Sequence, residues 1–247
     1  PVSIAHDKSD TPLLGSTLLR GRYPVGIGGW AQDGSILLYD EFDIWKVDPS
    51  GKRSPANMTN GYGRQQHIQL RIAFKQGRIK YWTHPLNGPI LLAAFNKDNK
   101  HSGYYRTSLK TTAPILLSMG PWHISQIKKA TNKDRYIVQR QSVTEAPNYF
   151  WTDDFKEYHP LSDQQPQREF NWMRAELVNL RQQDGALTQG ILYKPENFDP
   201  KKKYPLIINY YEIQSDYLCW YQQPTFVSGD LDVPWFVSRD YVFFKID

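Results

Sequence analysis

Up to about residue 165 the chain alternates short apolar runs with turns rich in Gly, Asp, Asn and Pro, with hardly a helical period among them. This pattern predicts β-strands. Three stretches repeat one plan of strand, polar turn, aromatic strand, second turn and short closing strand. The first runs Ser35–Tyr39, Asp43–Val47, a turn at Asp48–Gly51 and Ala56–Thr59. The second runs Ile90–Phe95, Gly103–Thr107 and Pro114–Met119, and the third Arg135–Arg140, Asn148–Trp151 and Tyr158–Ser162.

Recurrence at roughly 45–60 residues with four strands available per unit is the pattern of β-propeller blades. One four-stranded sheet cannot cover its own faces, so blades stack around an axis. The Asp33-Gly34 pair between strands adds a hairpin signal. About three blades cannot close a ring, so earlier blades are expected outside this chain, or residues 1–29 supply part of another one.

The character changes after Pro166. Trp172–Leu180 and Leu187–Tyr193, separated by Gln183-Asp184-Gly185, predict a hairpin. Pro205–Tyr211 is a continuous apolar run that reads as a strand buried on both faces. Pro234–Ser238 can open a short helix, proline being welcome in a first turn, and Tyr241–Ile246 predicts another buried strand. Hairpin, strand, helix, strand is how an α/β sheet begins. The expected fold is therefore mainly β: residues 1–170 are the C-terminal part of a β-propeller, and residues 171–247 are the first strands of an α/β-hydrolase domain.

Composition narrows the function classes. The chain has 247 residues, a 14% aromatic share and a formal net charge of +5. Its charges are scattered except at Lys201–Lys203, a run bracketed by Pro200 and Pro205 that reads as a solvated turn, and no nucleic-acid-binding motif accompanies it. A single cysteine, Cys219, excludes an internal disulfide and a Cys-rich zinc site, and reads as a small buried hydrophobe. The histidines, His6, His67, His84, His101, His123 and His159, show no metal-ligand spacing, so no metal or cofactor is expected. No apolar run reaches the length of a membrane span. Asn57-Met58-Thr59 fits the glycosylation sequon, a triplet that often arises by chance.

Gly190–Pro200 with Lys203–Ile207, and Trp235–Phe243, resemble the prolyl oligopeptidase family of serine peptidases, in particular its dipeptidyl-peptidase branch. Family members read there as a Gly-x-Leu-Tyr-Lys-Pro run, a Lys-Tyr-Pro strand entry, and a helix followed by a Gly-Tyr-x-Val strand. The resemblance implies a propeller that limits access to an α/β-hydrolase site cleaving short peptides. It further implies a bacterial periplasmic or secreted location, with the cytoplasm not excluded, and a homodimer formed through the hydrolase domain.

It also implies one functional residue. Tyr211 occupies the place of the tyrosine whose hydroxyl donates to the oxyanion of the tetrahedral intermediate. The reading of Tyr211 as a strand-end tyrosine with a buried ring stands beside it. Two departures accompany the match: Glu212-Ile213-Gln214 follows Tyr211 in place of small residues and proline, and Asp240 stands where the family has glycine.

No Gly-x-Ser-x-Gly nucleophile motif occurs. The triad serine, aspartate and histidine are therefore expected outside this sequence, and the chain alone is expected to be inactive. A triad from Ser215 or Ser238 with Asp216 and a histidine is disfavoured, since every histidine precedes residue 160. Glu41, Asp43 and Glu145 are candidates in principle for a substrate's N-terminal ammonium. The alternatives are a non-catalytic propeller that binds protein, and an acylaminoacyl hydrolase or esterase on the same scaffold.

Overall fold

The computed structural model describes residues 25–73, 83–84, 88–108, 110, 112–225 and 231–247. Most of the 1–29 stretch, with His6, lies outside the described residues. Among the described residues the strands form four sheets, and none of these sheets draws strands from both sides of residue 170. The backbone divides into two compact units. One runs through Asp98 and includes Ser102–Gly120 and Asp154–Lys156; the other comprises Asn99–His101, Pro121–Asp153 and Glu157–Asp247.

In the first unit, β1 (Gly26–Ala31), β2 (Ile36–Tyr39), β3 (Ile44–Val47) and β4 (Ala56–Asn57) form an antiparallel meander. The β1–β2 turn closes because Gly34 adopts a φ of 80° while the Asp33 carboxylate accepts from the Ser35 N–H at 3.1 Å. A single turn of helix, α1 (Tyr62–Gln65), leads to β5 (Ile68–Ile72). Next, β6 (Thr83–His84) returns to the first sheet, parallel to β1.

There the buried His84 ring donates from Nε2 to the Gly28 carbonyl oxygen at 2.9 Å. β5 pairs with the meander of β7 (Ile90–Asn96), β8 (Ser102–Thr107) and β9 (Ile115–Gly120). Leu37 of the first sheet and Leu70 and Leu92 of the second are fully buried in one shared core.

In the second unit, β10 (His123–Lys129), β11 (Tyr136–Ser142), β12 (Glu145–Thr152) and β13 (His159–Pro160) form another antiparallel meander. The Arg140 guanidinium lies 4.2 Å from the Phe150 ring centre and 4.9 Å from that of Trp122, and pairs with Glu145 at 3.2 Å. The last sheet is mixed, in the order β14 (Met173–Arg181), β15 (Leu187–Pro195), β17 (Val242–Ile246), β16 (Leu206–Tyr210). β14 and β15 pair without a break from Met173 opposite Pro195 to Arg181 opposite Leu187, while β16 and β17 run parallel.

The helix between those two, α2 (Val233–Val237), is capped by the Asp232 carboxylate, which accepts from the Trp235 N–H at 3.1 Å, and carries Pro234 in its first turn. α2 packs on β15 and β17, burying Val233 and Val237 against Ile191, Tyr193 and Phe243. Val143, in the β11–β12 turn, joins this core, and Trp172 Nε1 donates to its carbonyl at 2.7 Å.

The expectation that Pro205–Tyr211 is buried on both faces is corrected. Among the described residues β16 is an edge strand paired with β17, and Leu206, Ile208 and Tyr210 are exposed on one face. A continuous apolar run shows that both faces are suited to burial, whereas the covering comes from neighbours the run does not encode.

Candidate active site

Parallel pairing places the carboxyl ends of β16 and β17 at the same edge of the sheet. Tyr210 is in register with Ile246, so Tyr211 and Asp247 leave their strands side by side. In open α/β sheets this carboxyl edge is where ligands bind. Here it borders a cavity of about 690 Å³ lined by Tyr210, Tyr211, Glu212, Tyr217, Trp220 and Lys245, among others.

The Tyr211 side chain is exposed, with 71% of the residue accessible, so its hydroxyl is not tied into a buried strand end. The buried-ring reading of Tyr211 is therefore overturned. The backbone reverses at once, because Glu212 adopts a φ of 51°. Non-glycine residues take this left-handed conformation at a cost, and the surrounding bonds hold it.

The next residues are fastened to Asp247. Its Oδ1 accepts the N–H groups of Gln214 and Ser215, both at 2.7 Å, and its Oδ2 accepts the Ser215 hydroxyl at 2.6 Å. The Gln214 side-chain amide in turn donates to the Tyr211 carbonyl oxygen. A 3₁₀ turn follows over Ser215–Tyr217, where Asp216 accepts from the buried Lys100 ammonium at 3.1 Å.

Trp220 is clamped between two rings. His123 stacks on it at 4.1 Å and Tyr217 meets it edge-on at 5.1 Å. Burial lowers the His123 pKa, favouring the neutral ring. Cys219, between Leu218 and Trp220, is buried, and its thiol is pushed up to about 11 by that burial. Such a thiol is a packing group and not a nucleophile at neutral pH.

The serines of this region do not form a triad with the residues at hand. Ser215 gives its hydroxyl proton to Asp247 and Ser238 gives its own to the Trp235 carbonyl oxygen at 3.2 Å, while Asp216 pairs with Lys100. Among the described residues, no group of three His, Cys, Asp or Glu side chains converges as a metal site would require.

The ammonium candidates are likewise engaged. Asp43 is fully buried, its carboxylate accepting the Thr59 hydroxyl at 2.6 Å and the N–H groups of Gly63 and Arg64 at 3.0 and 3.1 Å. It is a structural anchor, which corrects its candidacy in principle for a substrate's ammonium. Thr59 of the sequon is buried in the same network. Glu145 pairs with Arg140, and Glu41 has interactions of its own.

No family model matches the sequence, and no curated protein matches it. Solved structures do match its fold. Puromycin hydrolase aligns with a TM-score of 0.54 at 17% identity, covering 89% of this chain and 33% of that one. Dipeptidyl peptidase 4 of Porphyromonas gingivalis gives 0.54 at 17%, covering 89% and 30%. Acylaminoacyl peptidase of Pyrococcus horikoshii gives 0.52 at 13%, covering 92% and 33%.

These neighbours are hydrolases of the prolyl oligopeptidase family, and the likeness is one of scaffold. The chain spans about a third of the length of the structures it matches.

Proposed function

We propose that this chain is part of a serine peptidase of the prolyl oligopeptidase type that hydrolyses short peptides. Residues 1–170 supply propeller blades that restrict access to the site, and residues 171–247 open the α/β-hydrolase domain. Among the described residues no sheet draws strands from both sides of residue 170, as that division requires.

The observation that carries the reading is the position of Tyr211. It stands at the carboxyl end of a parallel strand, exposed and at the wall of a cavity of about 690 Å³. In the proposed reaction a serine from outside this sequence attacks the scissile carbonyl, and a histidine takes its proton. Negative charge then grows on the carbonyl oxygen, and the Tyr211 hydroxyl donates to it. A donor aimed at that developing charge lowers the barrier more than it tightens substrate binding.

The test is Tyr211→Phe in the full-length protein with a short chromogenic peptide. The expected result is a fall in kcat of about 10²–10³-fold with KM little changed. An unaltered kcat would dismiss the assignment. Labelling of the full-length protein by a fluorophosphonate checks for the reactive serine independently.

A further inference from the structure

We propose that Asp247 is a positioning residue that sets the Tyr211 hydroxyl by holding the loop after β16. This inference rests on the reading of Tyr211 as the oxyanion donor.

The linkage is short and continuous. Asp247 is itself fixed, its N–H donating to the Gln189 carbonyl oxygen at 3.0 Å and its carbonyl oxygen accepting the Thr188 hydroxyl at 3.2 Å. From this anchored backbone the carboxylate gathers three donors, two from Ser215 and one from Gln214. Gln214 then closes the loop on itself, its side-chain amide reaching back to the Tyr211 carbonyl oxygen. The backbone of Tyr211 is thereby set by the β16–β17 ladder on one side and by Gln214 on the other.

The arrangement answers a specific difficulty. The loop contains a left-handed Glu212 and no proline, so its own sequence does little to fix its path. An oxyanion donor works only when aimed where charge develops, and a misplacement of about 1 Å can cost about 10²-fold in rate. A carboxylate that binds only acceptor-seeking groups of the loop, at 2.6 to 2.7 Å, supplies the missing rigidity.

The chemistry of the anchor predicts a graded series. An asparagine at this place still accepts both N–H groups through its Oδ1 and alters only the contact to the Ser215 hydroxyl. An alanine removes all three bonds.

The experiment is a mutant cycle in the full-length protein, with kcat and KM read on a short peptide. Asp247→Ala is expected to lower kcat by about tenfold or more while KM moves by less than about threefold. Asp247→Asn should recover most of the rate. On a Tyr211→Phe background, Asp247→Ala should cost nothing further, because its effect passes through the missing hydroxyl.

Multiplied effects of the two changes, or an unchanged kcat in Asp247→Ala, would overturn the inference. If Tyr211→Phe lowers kcat while the effects multiply, the reading of Tyr211 stands and only the role of Asp247 falls. If Asp247→Ala does not fold, Gln214→Ala replaces it in the cycle, since that half-buried side chain carries the link to Tyr211. The same non-additivity is expected, and its absence counts against the proposal.

Discussion

A Cβ built on Gly190 would lie 2.7 Å from the carbonyl oxygen of Lys245 and equally close to the Phe244 ring. β15 and β17 pair here, so the contact is between backbones and cannot be relieved by a rotamer change. Gly190→Ala is therefore expected to push the two strands apart and to destabilise the second unit by about 1–3 kcal/mol. A lowered urea midpoint checks this, and an unchanged midpoint would show that the sheet yields at no cost.

Asp43 is expected to matter for stability and not for substrate. Asp43→Ala leaves the Thr59 hydroxyl and the Gly63 and Arg64 N–H groups without their acceptor inside the first unit. The expected loss is about 2–4 kcal/mol, seen in thermal or urea unfolding. If Asp43→Asn instead raised KM at unchanged stability, the carboxylate would have to face substrate, contrary to its burial.

Stability in acid should depend on two turns of the first sheet, Asp33 in the β1–β2 turn and Asp48 in the β3–β4 turn. Asp33 is held well below the usual carboxylate range, first by its bond to Lys46, and Asp48 is held at about 2, first by the Ser50 hydroxyl. Both folded values lie below the unfolded value of about 3.9. The contribution is therefore complete above that value and is lost as pH falls through the folded ones. Urea midpoints measured from pH 5 to pH 2 should fall, and Asp33→Asn should flatten part of the fall. A variant profile parallel to the parent would remove Asp33 from the account.

The strands that pack a core face were readable in the sequence: β2, β3, β7, β8, β11 and β12 fall where the apolar runs predict them. β10 was not, because His123–Lys129 has no fully buried position and its side chains carry no alternation to read. The turns at Asp33-Gly34 and Asp184-Gly185 were legible because their glycines take φ of 80° and 87°, which glycine adopts without the steric cost other residues meet.

Asp240 shows the reverse. It stands at a place where the resembled family has glycine, and it adopts a φ of 62°, a conformation aspartate tolerates better than most side chains. At the candidate site, the place of Tyr211 could be read from the strand entry before it. The anchoring role of Asp247 could not, since it depends on bonds to residues 32 and 33 positions earlier in the chain.

The return of β6 to the first sheet ties the two sheets of that unit together in time as well as in space. β5 opens the second sheet before β6 completes the first, so neither sheet is a contiguous stretch of chain. A ribosome delivering this chain cannot release one finished sheet before starting the next. Where repeat arrays nucleate unit by unit, the pairing of β6 with β1 closes a long loop across β5, so these two sheets are expected to fold as one cooperative step. Cuts within residues 40–90 should then unravel both sheets at once, leaving no stable half behind.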